Sequence, residues 1–450
     1  MLYDWANSAY ATIVLAGFFP IIYAEYFASS IIDSERTLYL GVSNSIASII
    51  LILIAPIFGL LSDKFSSKKI FLIIFALLSI LSTSLLSIIS QDSYVIASIF
   101  FSISLLGFMM SNVFYDSMLL NFNSQKYDSI SSVGYALGYL GGGLAFVISL
   151  LFLYFQSNST LELIYSKKIV FLFASLWWLF FMIPLLLFWE EDKRVPHTTN
   201  LLDTFNEIKL DKTIFYFLIA YWIYIDGVDT VIRMAINYGL TIGFDSTDLL
   251  IALLVTQFVA FPGTLLISWL SSIYSCERAI VGCLITYLLI SVLAYYLDTI
   301  LEFYLIASLI GLVQGGIQAL SRSYFARLIP NNKHSEYFGI YNMLGKFAAL
   351  LGPLLVGLIT FLTRFSMIAL LKKEMFNDRL REILSYVPSA IFPAIIFPAI
   401  FLDNTGDYQL ENNPKIIAAF IAMFVGIISK NIIATIFSGL VSYWFLIFVV

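Results

Sequence analysis

The chain has 450 residues, of which 60% are hydrophobic, 17% aromatic and 12% charged, and its mean hydropathy is +0.92. A soluble domain carries about 25% charged residues, so these values exclude a soluble globular fold. Lys and Arg number 24 against 29 Asp and Glu, a net charge of −5, and no basic tract exceeds two residues, which excludes nucleic acid as a partner.

The apolar residues fall in continuous runs of roughly 20, rich in Leu, Ile and Phe, each long enough to cross about 30 Å of hydrocarbon as a helix. A β-barrel would alternate apolar and polar residues along short strands instead. The runs predict membrane helices at about 6–27, 39–61, 70–89, 95–118, 131–154 and 169–188. A polar stretch at 189–212 follows and reads as a cytoplasmic linker. Five further helices are predicted at about 214–238, 249–273, 279–297, 304–327 and 337–362. The fold class is therefore an all-α polytopic membrane protein with bundles of six and five helices at 1–188 and 213–362, followed by a membrane tail at 363–450.

With the amino terminus in the cytoplasm, the inner loops and adjoining helix ends hold twelve basic residues: Lys64, Lys68, Lys69, Lys126, Lys193, Arg194, Lys209, Lys212, Arg278, Arg322, Arg327 and Lys333. The outer loops hold three, Arg36, Lys167 and Lys168. The positive-inside rule then sets the orientation, N-terminus inside. Beyond residue 363 the charges run the other way, with Arg364, Lys372, Lys373, Arg379 and Arg381 outside and the acidic stretch Leu402 to Asn413 inside. Three extra spans at about 385–402, 416–429 and 431–449 fit the opposite orientation, so the tail reads as attached to the rest. The first apolar stretch lacks a basic leader, so no cleavable signal is expected. Cys276 and Cys283 with two histidines suit no spaced metal site, and neither metal, disulfide nor cofactor is expected.

Ionisable groups inside apolar helices are costly and usually face a cavity or a partner. The seventh predicted helix carries Asp226, Asp229 and Arg233 along one face, with Asp229 and Arg233 at ion-pair spacing. Asp226 falls near its midpoint and is best placed to bind and release a proton, although a structural network of Asp, Arg and Tyr224 gives the same pattern. Lys346 lies near mid-depth of the eleventh helix, and Gln314 and Gln318 share a face of the tenth, with Arg322 nearer the cytoplasm. A buried cation can receive a carboxylate and side-chain amides can orient it; Lys346 paired with Asp226 or Asp229 alone is the bland alternative. Asp116 lies near the cytoplasmic end of the fourth helix, and Asp4 and Asn7 open the first. Gly134, Gly138, Gly141, Gly142 and Gly143 give the fifth helix a small-residue face for close packing.

Gly59-Leu-Leu-Ser-Asp63-Lys64-Phe-Ser-Ser-Lys68-Lys69 resembles the G-x-x-x-D-[RK]-x-G-[RK]-[RK] loop of the major facilitator superfamily, with Ser66 and Ser67 in place of Gly and a basic residue. The resemblance implies a gating role for Gly59, Asp63 and Lys64. At the equivalent place in the second half, Ser268 to Ser272 keeps the spacing without either key residue, so a weak second gate is expected. Longer strings are more specific: Tyr3-Asp-Trp-Ala-Asn-Ser-Ala9, Val113-Phe-Tyr-Asp-Ser117, Gly134-Tyr-Ala-Leu-Gly-Tyr-Leu-Gly-Gly-Gly143, Tyr224-Ile-Asp-Gly-Val-Asp-Thr230, Gly315-Gly-Ile-Gln-Ala-Leu-Ser-Arg-Ser323 and Tyr337-Phe-Gly-Ile-Tyr-Asn342. Together they resemble the vacuole-effluxer-like branch of that superfamily over residues 1–360. Members usually carry several more residues ahead of Tyr-Asp-Trp and a twelfth helix. Thr360 to Arg364, Leu384 to Ala390 and Asn412 to Gly439 are similar to the small AzlD-type subunit of branched-chain amino-acid exporters, which implies an AzlC-like partner for the tail.

The resemblance implies a non-enzymatic secondary transporter in a bacterial inner membrane, with amino-acid efflux as the family's named activity, working by alternating access; the carboxylates of the seventh helix add the expectation of proton coupling. Asp226, Asp229, Arg233, Gln314, Gln318, Lys346, Asp116 and Asn7 are the expected substrate and coupling residues; Gly59, Asp63, Lys64 and Arg322 the gating ones. Rival readings are another small cargo, such as a sugar or nucleoside, and a non-transporting or decayed fusion.

Overall fold

The computed structural model describes residues 1–31, 33–65, 67–155, 160–191, 201–330, 333–347, 413–429 and 432–449. The chain separates into two units, Met1–Gly357 and Leu358–Val450. In the first unit, helices α1 (Leu2–Phe27), α2 (Asp33–Phe65), α3 (Lys68–Leu86), α4 (Tyr94–Ser117), α5 (Tyr127–Phe155) and α6 (Thr160–Phe188) form the first bundle. A short helix α7 (Leu201–Leu210) leads to α8 (Lys212–Ile242), α9 (Ser246–Tyr274), α10 (Cys276–Tyr295), α11 (Ile300–Leu328) and α12 (334–347) of the second. Among the described residues ten helices are long and apolar enough to cross a membrane. In the second unit, α13 (Pro414–Ser429) and α14 (Ile432–Val449) pack as an antiparallel pair, Gly426 against Thr435 and Gly439 against Ala422.

Burial follows a membrane pattern. Leu53, Leu81, Phe180, Ile285 and Leu288 stand exposed on the outside, while Ser79, Thr83, Ser104, Ser131 and Thr264 are buried. An outer surface of this kind is stable only in hydrocarbon, where helices satisfy their own backbone groups. Buried hydroxyls turn back onto backbone carbonyls, as Ser149 Oγ does to Ala145 O (2.9 Å) and Thr264 Oγ1 to Ala260 O (2.7 Å).

Three differences from the sequence expectation have local causes. Helix α1 begins at Leu2 rather than near residue 6, so that Asp4 and Asn7 lie inside the helix, buried. They are tolerated there because Asp4 accepts from the Tyr115 hydroxyl and Asn7 Nδ2 donates to Asn112 Oδ1 (2.7 Å). Further along, α1 widens to π-helical turns at Tyr10–Phe18 and Tyr23–Phe27, flanking Pro20; proline supplies no N–H to a regular ladder. The linker expected at 189–212 contains α7, amphipathic through buried Thr204 and Ile208. The expected span at 337–362 is described as far as 347, and the one at 385–402, with the basic residues Arg364 to Arg381, lies outside the described residues.

The glycine face of α5 lets α1 approach closely. A Cβ on Gly142 would lie 2.6 Å from Thr12 Oγ1 and 2.9 Å from Ser8 O, whereas one on Gly227 would meet open space. Gly142→Val should destabilise the detergent-solubilised protein by about 1–3 kcal/mol through overpacking, read as a drop in melting temperature. Gly227→Ala, which only improves helix propensity, should leave it unchanged or raised.

At the end of the first bundle away from Met1, Asp92 ties two loops together. Its carboxylate accepts from Ser29 Oγ (2.7 Å) and Ser30 N (2.8 Å), and its own N–H donates to Tyr26 O (3.1 Å). The bond from the Ser29 hydroxyl, followed by that from the Ser30 amide, holds the carboxyl below the ordinary aspartate value of 3.8. A lowered folded-state value contributes stability above 3.8 that is lost as pH falls through the lowered value. Asp92→Asn should therefore melt slightly earlier than wild type at pH 7, and the difference should close in strong acid; a gap that persists unchanged there would contradict the ionic reading.

Candidate functional site

Arg322, on α11, is a buried charge that this helix carries into the interface between the bundles. Its Nη1 donates to Asp116 Oδ1 of α4 at 2.9 Å, its Nε to Ser131 Oγ of α5 at 2.9 Å, and its Nη2 to Ser131 O at 3.2 Å. The guanidinium lies over the Tyr135 ring, 4.5 Å from the centroid, and 5.7 Å from that of Tyr115. The second oxygen of Asp116 accepts from Asn342 Nδ2 of α12 (3.2 Å). Two residues that the sequence assigned to different roles thus form one ion pair. Removing one partner of such a pair strands the other charge, at a cost of about 3–5 kcal/mol.

Gly59 to Asp63, expected as part of a loop, lie in the last turns of α2, and this segment makes the second contact between bundles at this end. Asp63 Oδ2 accepts from the Glu336 backbone N–H at 2.8 Å, so a carboxylate of the first bundle caps the first turn of α12 in the second. The first N–H groups of a helix lack internal partners and carry partial positive charge, which suits a carboxylate. The cap needs close backbone approach: a Cβ on Gly59 would fall 2.4 Å from Ser335 O, and one on Gly339 2.6 Å from Ala55 O. Ser335 Oγ lies 3.3 Å from Ser62 Oγ and 3.2 Å from Ser117 Oγ. Lys68 Nζ donates to His334 Nδ1 (2.9 Å) and to Ser117 O (3.3 Å). Lys68 is therefore the basic residue of this loop that reaches across; Lys64 is exposed at the end of α2.

Two further groups fasten the same end. Lys333 Nζ donates to Glu207 Oε2 of α7 at 2.6 Å, and the Tyr337 hydroxyl to the same oxygen at 3.4 Å, docking the linker helix against the start of α12. Asp128, in the first turn of α5, pairs with Arg327 and accepts from Ser323 Oγ at 2.5 Å. Although Ser268 to Ser272 lacks the loop motif, this half has a polar fastening of its own, built on α5 and α11.

Deeper in the bundle, Gln314 and Gln318 stand near the middle of α11. The Tyr139 hydroxyl of α5 donates to Gln318 Oε1 (3.4 Å) and bonds with Gln314. Asp229 lies within electrostatic range of Tyr135, Tyr139, Tyr221 and Tyr287. Asp226 lies one helical turn earlier, half-buried; its Oδ1 and Gln314 Oε1 are buried and find no hydrogen-bond partner among the described residues. Tyr224 and Ser321 share a hydrogen bond of 2.6 Å, and Gln257 Nε2 donates to Thr12 Oγ1 (2.7 Å), again between bundles. Lys346 is half-buried in α12 beside Gly345, whose added Cβ would lie 3.1 Å from the Tyr221 hydroxyl. Asn7 sits within the first bundle against Asn112, and the side chain of Arg233 lies outside the described set.

Sequence reasoning missed Ser131, Asn342, Tyr135, Tyr139, Lys68, Asp128 and Arg327 as interface residues. The four-residue spacing of Ser131, Tyr135 and Tyr139 was the available signal, since it puts all three on one face of α5.

The chain matches the family model described as vacuole effluxer Atg22 like over residues 1–371, and that for the branched-chain amino acid transport protein AzlD over residues 349–447. It is 36% identical over 375 residues to the MFS-type transporter YxiO of Bacillus subtilis, covering 81% of this chain and 88% of that one. Autophagy-related protein 22 of Kluyveromyces lactis is 25% identical over 342 residues, 65% of this chain and 67% of that one. Of solved structures, the proton:xylose symporter XylE aligns with a TM-score of 0.61 at 12% identity over 81% of this chain and 88% of its own. The human organic anion transporter MFSD10 aligns with a TM-score of 0.59 at 14% identity over 79% and 90%. At such identities these two establish the fold alone. Since the first family model spans most of the chain and YxiO aligns along nearly all of its own length, the chain belongs to the Atg22-like vacuole effluxer family and is an integral membrane transporter of the major facilitator fold.

Proposed function

We propose that this transporter moves a small amino acid across a bacterial cell membrane by alternating access, coupled to proton exchange, with its amino terminus in the cytoplasm. The observation that carries the reading is that two buried acceptors, Asp226 Oδ1 and Gln314 Oε1, find no hydrogen-bond partner among the described residues. An ammonium group supplies three donors, and a proton supplies one, so either meets the need of these oxygens at mid-helix. The family description as an effluxer and the AzlD match both point to amino acids. The tail at 349–447 would then meet an AzlC-like partner.

In this reading Asp226 and Asp229 exchange the proton, Gln314 and Gln318 orient the cargo, and Lys346 balances charge or receives its carboxylate. Asp63 holds the gate by capping α12, a bond that forms only when the bundles meet at this end. Alternating access requires gate contacts that are individually modest and made between bundles rather than within one. The Asp63 cap, the Lys68–His334 bond and the Asp128–Arg327 pair answer that description.

Reconstituted into proteoliposomes under an imposed pH gradient, the full chain should accumulate radiolabelled leucine or alanine in preference to xylose or uridine. Asp226→Asn should cut gradient-driven flux by about tenfold or more while leaving gradient-independent exchange measurable. Equal rates for the variant and wild type would remove Asp226 from coupling, and uptake of xylose or uridine instead would replace the cargo.

A further inference from the structure

We infer that Arg322 is a state-dependent carboxylate site: Asp116 occupies it while the bundles are joined at this end, and the carboxylate of the cargo occupies it once they part. The inference rests on the amino-acid reading above and assigns one residue a role in it.

The partners of the Arg322 guanidinium among the described residues, Asp116, Ser131, Tyr135 and Tyr115, with the Asp4 carboxylate acting on it electrostatically, all belong to α4, α5 and α1 of the first bundle, whereas Arg322 belongs to α11 of the second. Parting the bundles at this end strips it of every one of them together. What remains is a guanidinium with five donors in a planar fork, a shape that pairs bidentately with a carboxylate. The group that has just left it, the Asp116 carboxylate, is chemically the same as the α-carboxylate of an amino acid. The cargo therefore competes with Asp116 for one cation, and binds the open arrangement because the closed one has no vacancy. A ligand shifts such an equilibrium only through this kind of differential affinity.

The placement of the glutamines extends the argument. Arg322, Gln318 and Gln314 follow one another at intervals of four along α11, so they lie along one face at steps of about 6 Å. When Asp116 returns to Arg322, the displaced carboxylate finds amide donors one and two turns deeper, beside the Tyr139 hydroxyl. Closure at this end and inward movement of the cargo are then a single exchange of carboxylates on one arginine.

The test uses the full chain, with leucine, 4-methylpentanoate (the acid without the amine) and isopentylamine (the amine without the acid) as probes. In proteoliposomes, 4-methylpentanoate should compete with leucine and isopentylamine should not. Arg322→Lys, which keeps the charge and loses the fork, should raise the leucine KM by about tenfold with a smaller change in kcat. Asp116→Asn, which vacates the arginine, should lower the leucine KM; a merely structural ion pair would make both variants fail alike, and that result overturns the inference. If no amino acid is transported, the amino-acid reading fails by itself. Thermal stabilisation in detergent by 4-methylpentanoate then decides the arginine site separately: it should be larger in Asp116→Asn than in wild type and lost in Asp116→Asn/Arg322→Lys, and equal shifts in all three would refute it.

Discussion

A charge inside a membrane bundle must find its counter-charge within the protein, and in this chain the decisive counter-charge sits on the opposite bundle. Arg322 and Asp116 are both buried, 2.9 Å apart, and joined across the interface. Within one bundle such a pair would be a fixed part of the core. Between bundles it makes their separation an electrostatic event, because neither charge can be left bare in low dielectric. The surrounding groups follow from that constraint. Ser131 and Asn342 add further hydrogen bonds to the pair, and Tyr135 offers a ring face rather than an aliphatic wall.

The Asp63 cap shows the same logic in a weaker form. A helix terminus ordinarily finds its cap in its own chain neighbourhood. The start of α12 takes one from α2 instead, and takes a hydrogen bond from Lys68 at His334. The linker helix α7 adds Glu207 on Lys333 just ahead of it. Three separate elements therefore meet at the first turn of α12, so a movement of that turn is felt by the first bundle and by the linker together.

How much of this was legible in the sequence depends on the range of the interaction. Within the described residues most helix positions followed from local hydropathy to a few residues, although α2 and α6 begin well ahead of expectation, at Asp33 and Thr160, and the motif strings from Tyr3 to Asn342 identified the family correctly. Asp116 and Arg322 were singled out because charges are conspicuous in apolar helices, and Gly59 and Asp63 because they match a motif. Their pairing was not legible: Asp116 and Arg322 are 206 residues apart, and nothing local says which charge faces which. The linker helix was missed because Thr204 and Ile208 make only two buried positions in a polar stretch, too few to register as a period. Ser268 to Ser272 keeps only the spacing of a motif, while Asp128, outside any motif, pairs with Arg327, a contact no local pattern announced.

The presence of these pairs also bears on the rival idea of an inert or decaying membrane scaffold. A buried ion pair adds little net stability over well-packed apolar residues of similar volume, and replacing one is often neutral or favourable. A protein whose only task is to sit in a bilayer gains nothing from Asp116 and Arg322 that leucine and methionine would not give more cheaply. A protein whose halves must part and rejoin gains a contact that is specific in register and can be broken by substituting one ligand for another. Apolar packing offers no such exchange, since a released hydrocarbon face has no competing ligand of its own kind in water. Polar fastenings at the end where α12 begins, with acceptors deeper in the helices that find no partner among the described residues, therefore favour a moving transporter over a static one.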